Sequence, residues 1–493
     1  MIFLERLRSA FNKYPDKNAF CIQDRYYTYG DLILKIDSIR ALIGVDSAYG
    51  QNIGIVVSDD LETYASILAV LLSGLTYVPI HPGHPLQRTE QIVQQSGLRL
   101  TLSKTDFVYK SITTINTSSH SESPEATEIR TPVVDQQRTN AYILFTSGST
   151  GVPKGVPISY YNVDSFINAF FGLGYRADEN DRFLQMFDLT FDLSVMSYLV
   201  PLCLGACVYT VPDTGMKYAN VYKVLETHNI TFALMVPSLL TYLRPYFSEI
   251  ELPDLKYSLF CGEALYKDTL AEWMTCVPNA VVENVYGPTE ATIFCLTYNI
   301  KDKQSILAYN EIVSIGKAMK GMEAIVVDEH HQIVTDGVRG ELCLNGDQVT
   351  SGYIDPEKDR KAFIQLDGKK YYRTGDIAYR DDNGNFMYCG RADQQVKIQG
   401  YRIELSEVEF HLRKISGHGN VVAISITAPG GLARIDAVFE GGSIGTELVM
   451  TELKTKLPGY MIPSQVHFID AFPLNANGKT DRKALEKMIA DRL

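Results

Sequence analysis

No Cys-x-x-Cys pair occurs in this sequence, although it holds eight cysteines: Cys21, Cys203, Cys207, Cys261, Cys276, Cys295, Cys343 and Cys389. That spacing argues against a zinc ribbon or a thioredoxin-type redox site. Thiols scattered among apolar neighbours, as in Phe294-Cys295-Leu296, fit a reducing cytoplasm better than a disulfide framework. Positive charge is also short, with 46 Lys and Arg against 58 Asp and Glu and a formal net charge of -12. A general nucleic-acid binder or a protein that coats anionic membranes is disfavoured by that balance. There is no signal-peptide pattern, because Glu5 interrupts the N-terminal Met-Ile-Phe-Leu. The one long uncharged stretch, 193–212, is broken by Pro201, Gly205 and Pro212. It reads as a buried helix ending near Leu202 and a strand over 206–211, not as a membrane span. No internal repeat appears at solenoid periods.

What is present is a chain of 493 residues, 45% hydrophobic and 21% charged, as in an ordinary globular protein of more than one domain. Its first half alternates short apolar runs with helical patterns. Strand-like runs stand at 52–57, 76–80, 232–236 and 257–260, and a helix is expected over Leu61–Leu72. Such alternation implies parallel sheets covered by helices, an α/β class. Residues 111–130, rich in Ser, Thr and Glu, read as a surface loop. Beyond about residue 320 the strands shorten, which suggests an antiparallel or barrel-like region. The last hundred residues hold a helix candidate over 405–415, a strand over 420–426 and a basic segment near Lys479.

The strongest chemical signal is Tyr142-Ile-Leu-Phe-Thr-Ser-Gly-Ser-Thr-Gly-Val-Pro-Lys-Gly. An apolar strand enters a loop of glycines and hydroxyls that ends at Lys154. Glycine lets backbone N–H groups approach a phosphate, and the hydroxyls add donors. The loop is not a Walker A motif, because Pro153 stands where the second glycine belongs. Alone it could equally be a flexible turn, but further motifs accompany it.

The loop resembles the phosphate-binding signature of the adenylate-forming superfamily of acyl-CoA synthetases, nonribosomal-peptide adenylation domains and luciferases. Four more segments follow in that superfamily's order: Tyr286-Gly-Pro-Thr-Glu-Ala-Thr, Tyr372-Arg-Thr-Gly-Asp, Gly390-Arg-Ala-Asp through Gly400-Tyr-Arg-Ile-Glu, and Asn475-Ala-Asn-Gly-Lys-Thr-Asp-Arg. The resemblance implies two domains. Residues 1–391 would form an adenylation core of two helix-covered sheets plus a small β-barrel, and residues 392–493 a small α+β lid on a hinge at Asp393. It implies ATP and Mg²⁺ as the cofactors. Thr146, Ser147, Gly148, Ser149, Thr150, Gly151 and Lys154 would cradle the phosphates, with Gly262, Glu263, Ala264 and Gly287 beside the nucleotide. Tyr286 would stack on adenine and Asn284 bond its amino edge. Asp376 would accept the ribose hydroxyls, with Arg391 nearby. Thr289 would donate to the α-phosphate, Glu290 would ligate Mg²⁺ as a hard oxygen donor, and Lys479 would act as the catalytic cation.

Phe191-Asp-Leu-Ser-Val-Met resembles the start of the pocket in amino-acid-activating members, where Asp192 would pair with the substrate ammonium. A buried carboxylate without that partner is costly, so a substrate lacking an amine is disfavoured. The remaining pocket set is Leu193, Met196, Leu234, Leu259, Cys261, Val285, Ile293 and Phe294. It is apolar, which implies a small or apolar amino acid. Phe191-Asp-Leu-Ser-Val-Met and Leu259-Phe-Cys-Gly-Glu-Ala-Leu resemble stand-alone D-alanine–carrier protein ligases. Departures are Tyr160 where many members carry histidine, the segment Gln185-Met-Phe-Asp, and the bulk of Leu234 and Phe294. The expected activity is formation of an aminoacyl-adenylate and transfer to the phosphopantetheine thiol of a separate carrier protein. With 14 residues after Lys479, no carrier domain is expected within this chain. Nucleic acid and stable membrane insertion are not expected. The rivals are an acyl-CoA or fatty-acid ligase, against which Asp192 argues, and a non-catalytic nucleotide-binding homologue, against which Lys154, Glu290, Asp376 and Lys479 together argue.

Overall fold

A computed structural model of the chain describes residues 1–44, 51–105, 112–118, 132, 134–148, 151–417, 420–427, 432–441, 445–474 and 480–492. Among them the strands form two large mixed sheets. One has nine strands, parallel across its centre and antiparallel at both edges. The other has six, parallel except for the pair Asn140–Thr146 and Lys154–Ser159. A further antiparallel sheet of five strands lies within 322–391. A two-stranded ribbon, Gln395–Ile398 with Tyr401–Glu404, and a three-stranded sheet follow. The mixed α/β class expected from the alternation is observed.

One apolar core joins the two large sheets. It draws Ile53, Tyr77 and Leu144 from the six-stranded sheet, and Phe183, Leu234 and Leu259 from the nine-stranded one. The helix Leu61–Leu72 between them is buried nearly all round and begins at Asp60, whose carboxylate accepts the Thr63 N–H at 2.8 Å. The helix Asp192–Leu204 is buried along its length and carries no charge after Asp192. It runs through Pro201, past the expected stop near Leu202, and ends at Gly205 in the left-handed conformation. A proline this close to the C-terminus removes one donor with little helix left to disrupt. The Ser/Thr-rich segment also differs from expectation: Thr113–Asn116 forms an edge strand beside Leu100–Ser103. No helix among the described residues is long and apolar enough to cross a membrane.

The C-terminal residues build a core of their own, from Ile403, Val408 and Leu412 with Ala423, Ile435 and Phe439. The expected helix is Leu405–Ser416 and the expected strand Val421–Thr427. Gly400, at φ 81°, turns the two-stranded ribbon toward the large domain, and an added Cβ there would lie 2.7 Å from Val236 Cγ1.

Candidate functional site

The site forms where the C-terminal ends of the central strands meet residues 395–410. Strand Val281–Tyr286 carries Asn284, Val285 and Tyr286 and pairs with Tyr257–Phe260, Asn284 opposite Phe260. Leu259 pairs in turn with Leu234. Leu193, Met196, Leu234, Leu259, Cys261, Val285, Ile293 and Phe294 fall into one buried cluster. The set read from the sequence as pocket residues therefore belongs to the one apolar core that joins the two large sheets.

Asp192 opens its helix at the edge of this cluster. Its Oδ2 is buried without a hydrogen-bond partner. Burial pushes the carboxyl up to about 6, against the pull of the Thr289 hydroxyl and the backbone amides of Leu193 and Ile293. Cys261 stands within reach of that charge, and burial raises its thiol to about 12. Thr292 and Ile293 hold φ of 55° and 73°, which is unusual for β-branched residues. Gln348 fixes this strained pair: its side-chain amide donates to the Phe294 carbonyl at 2.9 Å, and its backbone carbonyl accepts the Thr292 hydroxyl at 2.5 Å. Nothing local in the sequence marks Gln348 for that duty.

A cavity of about 280 Å³ is lined by Glu263, Ala264, Asn284, Tyr286, Arg391 and Lys397. Asn284 donates to the Ser314 carbonyl at 2.9 Å. Tyr286 donates its hydroxyl to one Asp376 oxygen, and Arg391 holds the other at 2.7 Å. Asp393 grips the same guanidinium through two bonds of 2.7 Å. Of the nucleotide set expected from the motifs, Glu263, Ala264, Asn284, Tyr286 and Arg391 line this cavity, and the buried Asp376 is bonded to two of them, Tyr286 and Arg391.

The phosphate loop lies against residues 402–407. An added Cβ at Gly148 would meet the Val152 carbonyl oxygen at 2.0 Å, so the loop needs glycine there. Ser147 Oγ donates to the Arg402 carbonyl at 2.9 Å, and Gly148 N–H donates to Glu407 Oε2 at 3.0 Å. Lys154 Nζ lies 3.4 Å from Glu404 Oε1. Glu290 is fully buried, with Oε2 at 2.8 Å from Arg402 Nη1 and Oε1 accepting the Tyr353 hydroxyl at 2.6 Å. Burial alone would raise its carboxyl, but Arg402 and Tyr353 outweigh that and hold it below its ordinary value. A buried, ionised carboxylate already holding a cationic group fits a divalent ion in donor type. Gly400 N–H donates to Glu263 Oε1 at 2.9 Å, and the Tyr401 ring packs edge-on against Phe191 at 4.9 Å. Ser149, Thr150 and Lys479 lie outside the described residues. Tyr160, the departure noted after the loop, is buried and donates to the Leu71 and Leu75 carbonyls. Arg402, Glu404, Glu407 and Tyr353 touch these groups, and the motif reading did not single them out.

The AMP-binding enzyme family model matches residues 7–354. A linear gramicidin synthase chain of Brevibacillus parabrevis is 33% identical over 489 residues, 96% of this chain. A plipastatin synthase chain of Bacillus subtilis is 31% identical over 490 residues. The present chain spans only 9% and 13% of those two proteins. The D-alanine–D-alanyl carrier protein ligase of Bacillus velezensis is 31% identical over 502 residues, 98% of this chain and 99% of that protein. The solved Vibrio cholerae adenylation domain AlmE, in complex with glycyl-adenosine-5'-phosphate, is similar with a TM-score of 0.87 and 27% identity, covering 99% of this chain and 98% of that one. On the matched family, the full-length likeness to the ligase and the arrangement of the phosphate loop, Glu290 and Asp376, this chain belongs to the AMP-binding enzyme family.

Proposed function

We propose that the chain is an AMP-forming ligase that activates a small or apolar amino acid and passes it to a carrier-protein thiol. D-alanine is the leading candidate substrate, supported by the full-length likeness to D-alanine–D-alanyl carrier protein ligases. The observation that carries the reading is Asp192 Oδ2, a buried carboxylate oxygen without a hydrogen-bond partner, on a helix whose Leu193 and Met196 join the apolar cluster of Leu234, Leu259, Cys261, Val285, Ile293 and Phe294. Such an oxygen calls for a cation with its own hydrogen-bond donors, and an α-ammonium supplies both.

In the first half-reaction a substrate carboxylate oxygen attacks the α-phosphorus of ATP, and the bond to pyrophosphate breaks. Positioning and charge neutralisation supply most of the acceleration in such a transfer. Asp192 orients the amine, Asp376 and Arg391 hold the ribose end, and Thr289 and Lys479 serve the α-phosphate. Ser147, Gly148 and Lys154, with Ser149 and Thr150, hold the leaving phosphates. Glu290 would hold Mg²⁺, which when bound would supply charge neutralisation on the phosphate oxygens. In the second half-reaction a pantetheine thiol attacks the adenylate carbonyl, loses its proton, and AMP leaves. The seating of Gly400 and Tyr401 against Glu263 and Phe191 supports assigning the observed arrangement to this transfer step. Residues 1–391 form the core in this reading and residues 392–493 the lid, hinged at Asp393. The cytoplasm is the proposed compartment, supported by eight free cysteines.

Asp192→Ala tests the reading. Loss of one partner of a buried ion pair costs ~3–5 kcal/mol, so amino-acid-dependent pyrophosphate exchange should fall by orders of magnitude while ATP binding persists. An unchanged amino-acid preference would place the amine elsewhere.

A further inference from the structure

Three charged side chains from residues 402–407 meet the phosphate- and metal-handling groups of the large domain one for one. Arg402 Nη1 lies 2.8 Å from Glu290 Oε2. Glu404 Oε1 lies 3.4 Å from Lys154 Nζ. Glu407 Oε2 accepts the Gly148 N–H at 3.0 Å, while its Oε1 pairs with Arg88 at 3.1 Å. The backbone joins in: Ser147 Oγ donates to the Arg402 carbonyl and accepts the Glu404 N–H at 3.2 Å. Glu290, Glu404 and Glu407 are all buried. The contacts are matched in sign, cation on carboxylate and carboxylate on cation or N–H.

We propose that residues 402–407 are an internal counterpart of magnesium pyrophosphate, with Arg402 occupying the carboxylate that serves the metal and Glu404 and Glu407 occupying the donors that serve the leaving phosphates. The physical reason is the cost of leaving such groups alone. Once the leaving group departs, Lys154 and the Gly148 N–H would lose their partners and buried Glu290 would keep only the Tyr353 hydroxyl, and buried unpaired charge is strongly unfavourable. The segment supplies all three partners together, and in doing so seats Gly400 and Tyr401 beside Glu263 and Phe191. Arg402, Glu404 and Glu407 are therefore positioning residues for the transfer step. Arg402 on Glu290, Glu404 on Lys154 and Glu407 on Gly148 take the partners that magnesium pyrophosphate would need, so lid seating and bound magnesium pyrophosphate exclude one another. Transfer waits for product release, and added pyrophosphate unseats the lid. The inference rests on the proposed roles of Glu290 and Lys154. Amino-acid-dependent exchange in the same preparation tests those roles separately.

Three amides report on the exchange of partners. Gly400 N–H and Glu404 N–H are bonded across the junction, and Gly148 N–H is bonded to Glu407. Amide-resolved hydrogen–deuterium exchange on the intact protein, with magnesium and pyrophosphate each alone and then together, reads them directly. With both present, exchange at Gly400 and Glu404 should rise about tenfold or more, because the ligand competes with the seated state. Gly148 should stay protected, since a phosphate oxygen replaces the carboxylate as its acceptor. The variant Glu404→Gln/Glu407→Gln keeps the side-chain shapes and removes the charge. It should open Gly400 and Glu404 without ligand and lose carrier loading, while amino-acid-dependent exchange persists. If its melting temperature falls, Arg402→Gln, which also removes a charge, replaces it in the same measurement. Protection that is unchanged at all three amides, or lost at all three, overturns the proposal, as does a charge-neutral variant as closed as the wild type.

Discussion

Glu263 receives the Gly400 N–H at 2.9 Å on one oxygen and the Ser238 N–H at 2.8 Å on the other. One carboxylate thus ties the ribbon's turn to the N-terminus of the helix Pro237–Leu243. The bond depends on a backbone that only glycine adopts cheaply, since Gly400 sits at φ 81° with Val236 close by. Gly400→Ala should disfavour the seated loop by ~1–2 kcal/mol from the left-handed conformation, with the Val236 contact in addition. Carrier loading should drop severalfold while pyrophosphate exchange holds. Val236→Ala in the same background should restore part of the loss. Equal loss in both half-reactions would mean that Gly400 serves the site generally rather than the transfer step.

Asp192 gives a pH dependence with a definite sign. Its carboxyl is raised by burial to about 6 from an ordinary 3.8. The ionised form binds the ammonium, so kcat/KM for the amino acid should fall about tenfold per pH unit below 6. The ligand-free protein behaves oppositely. Its folded state holds the proton more tightly than the unfolded chain does, so stability falls as pH rises between 3.8 and 6 and the penalty is complete above 6. Asp192→Asn should therefore raise the melting temperature at neutral pH, by the equivalent of about 3 kcal/mol at most, and abolish the acid limb. A variant that melts lower than the wild type at pH 7 and higher at pH 4 would reverse the assignment.

Asp393 follows the strand Phe386–Arg391 and binds the Arg391 guanidinium, which also holds Asp376. Its Oδ1 also accepts the Gln395 N–H at 3.1 Å, which starts the ribbon. The proposed swing about Asp393 needs free dihedrals here, and proline fixes φ near −65°. Asp393→Pro should separate the half-reactions, with one retained and the other collapsed. Wild-type rates for both, measured on one preparation, would move the hinge elsewhere.

Much of this was legible in the sequence because it is local. The hydroxyl- and glycine-rich loop, Asp192 at a helix start, and Tyr286 through Glu290 are short contiguous patterns whose chemistry can be read residue by residue. The helix Leu61–Leu72 and the alternation of strands were legible from periodicity. What stayed hidden depends on distant pairing. Glu407 reaches Gly148 across 259 positions, and Arg402 reaches Glu290 across 112. Nothing near either residue signals its partner. Gln348 is an ordinary loop glutamine until the backbone of 291–294 folds around it. The helix at Asp192 was legible through Pro201, because a helix breaker is tolerated one turn from the helix end.

The most direct measurement is ATP–pyrophosphate exchange on the purified chain across D-alanine, L-alanine, glycine, larger apolar amino acids, and the same acids without their amino group. The expected result is strong exchange with one or more small or apolar amino acids and exchange at background with the deaminated acids, because Asp192 Oδ2 has no other partner. Exchange driven as well by a deaminated or fatty acid as by any amino acid would contradict it, and would turn the site toward acyl ligation.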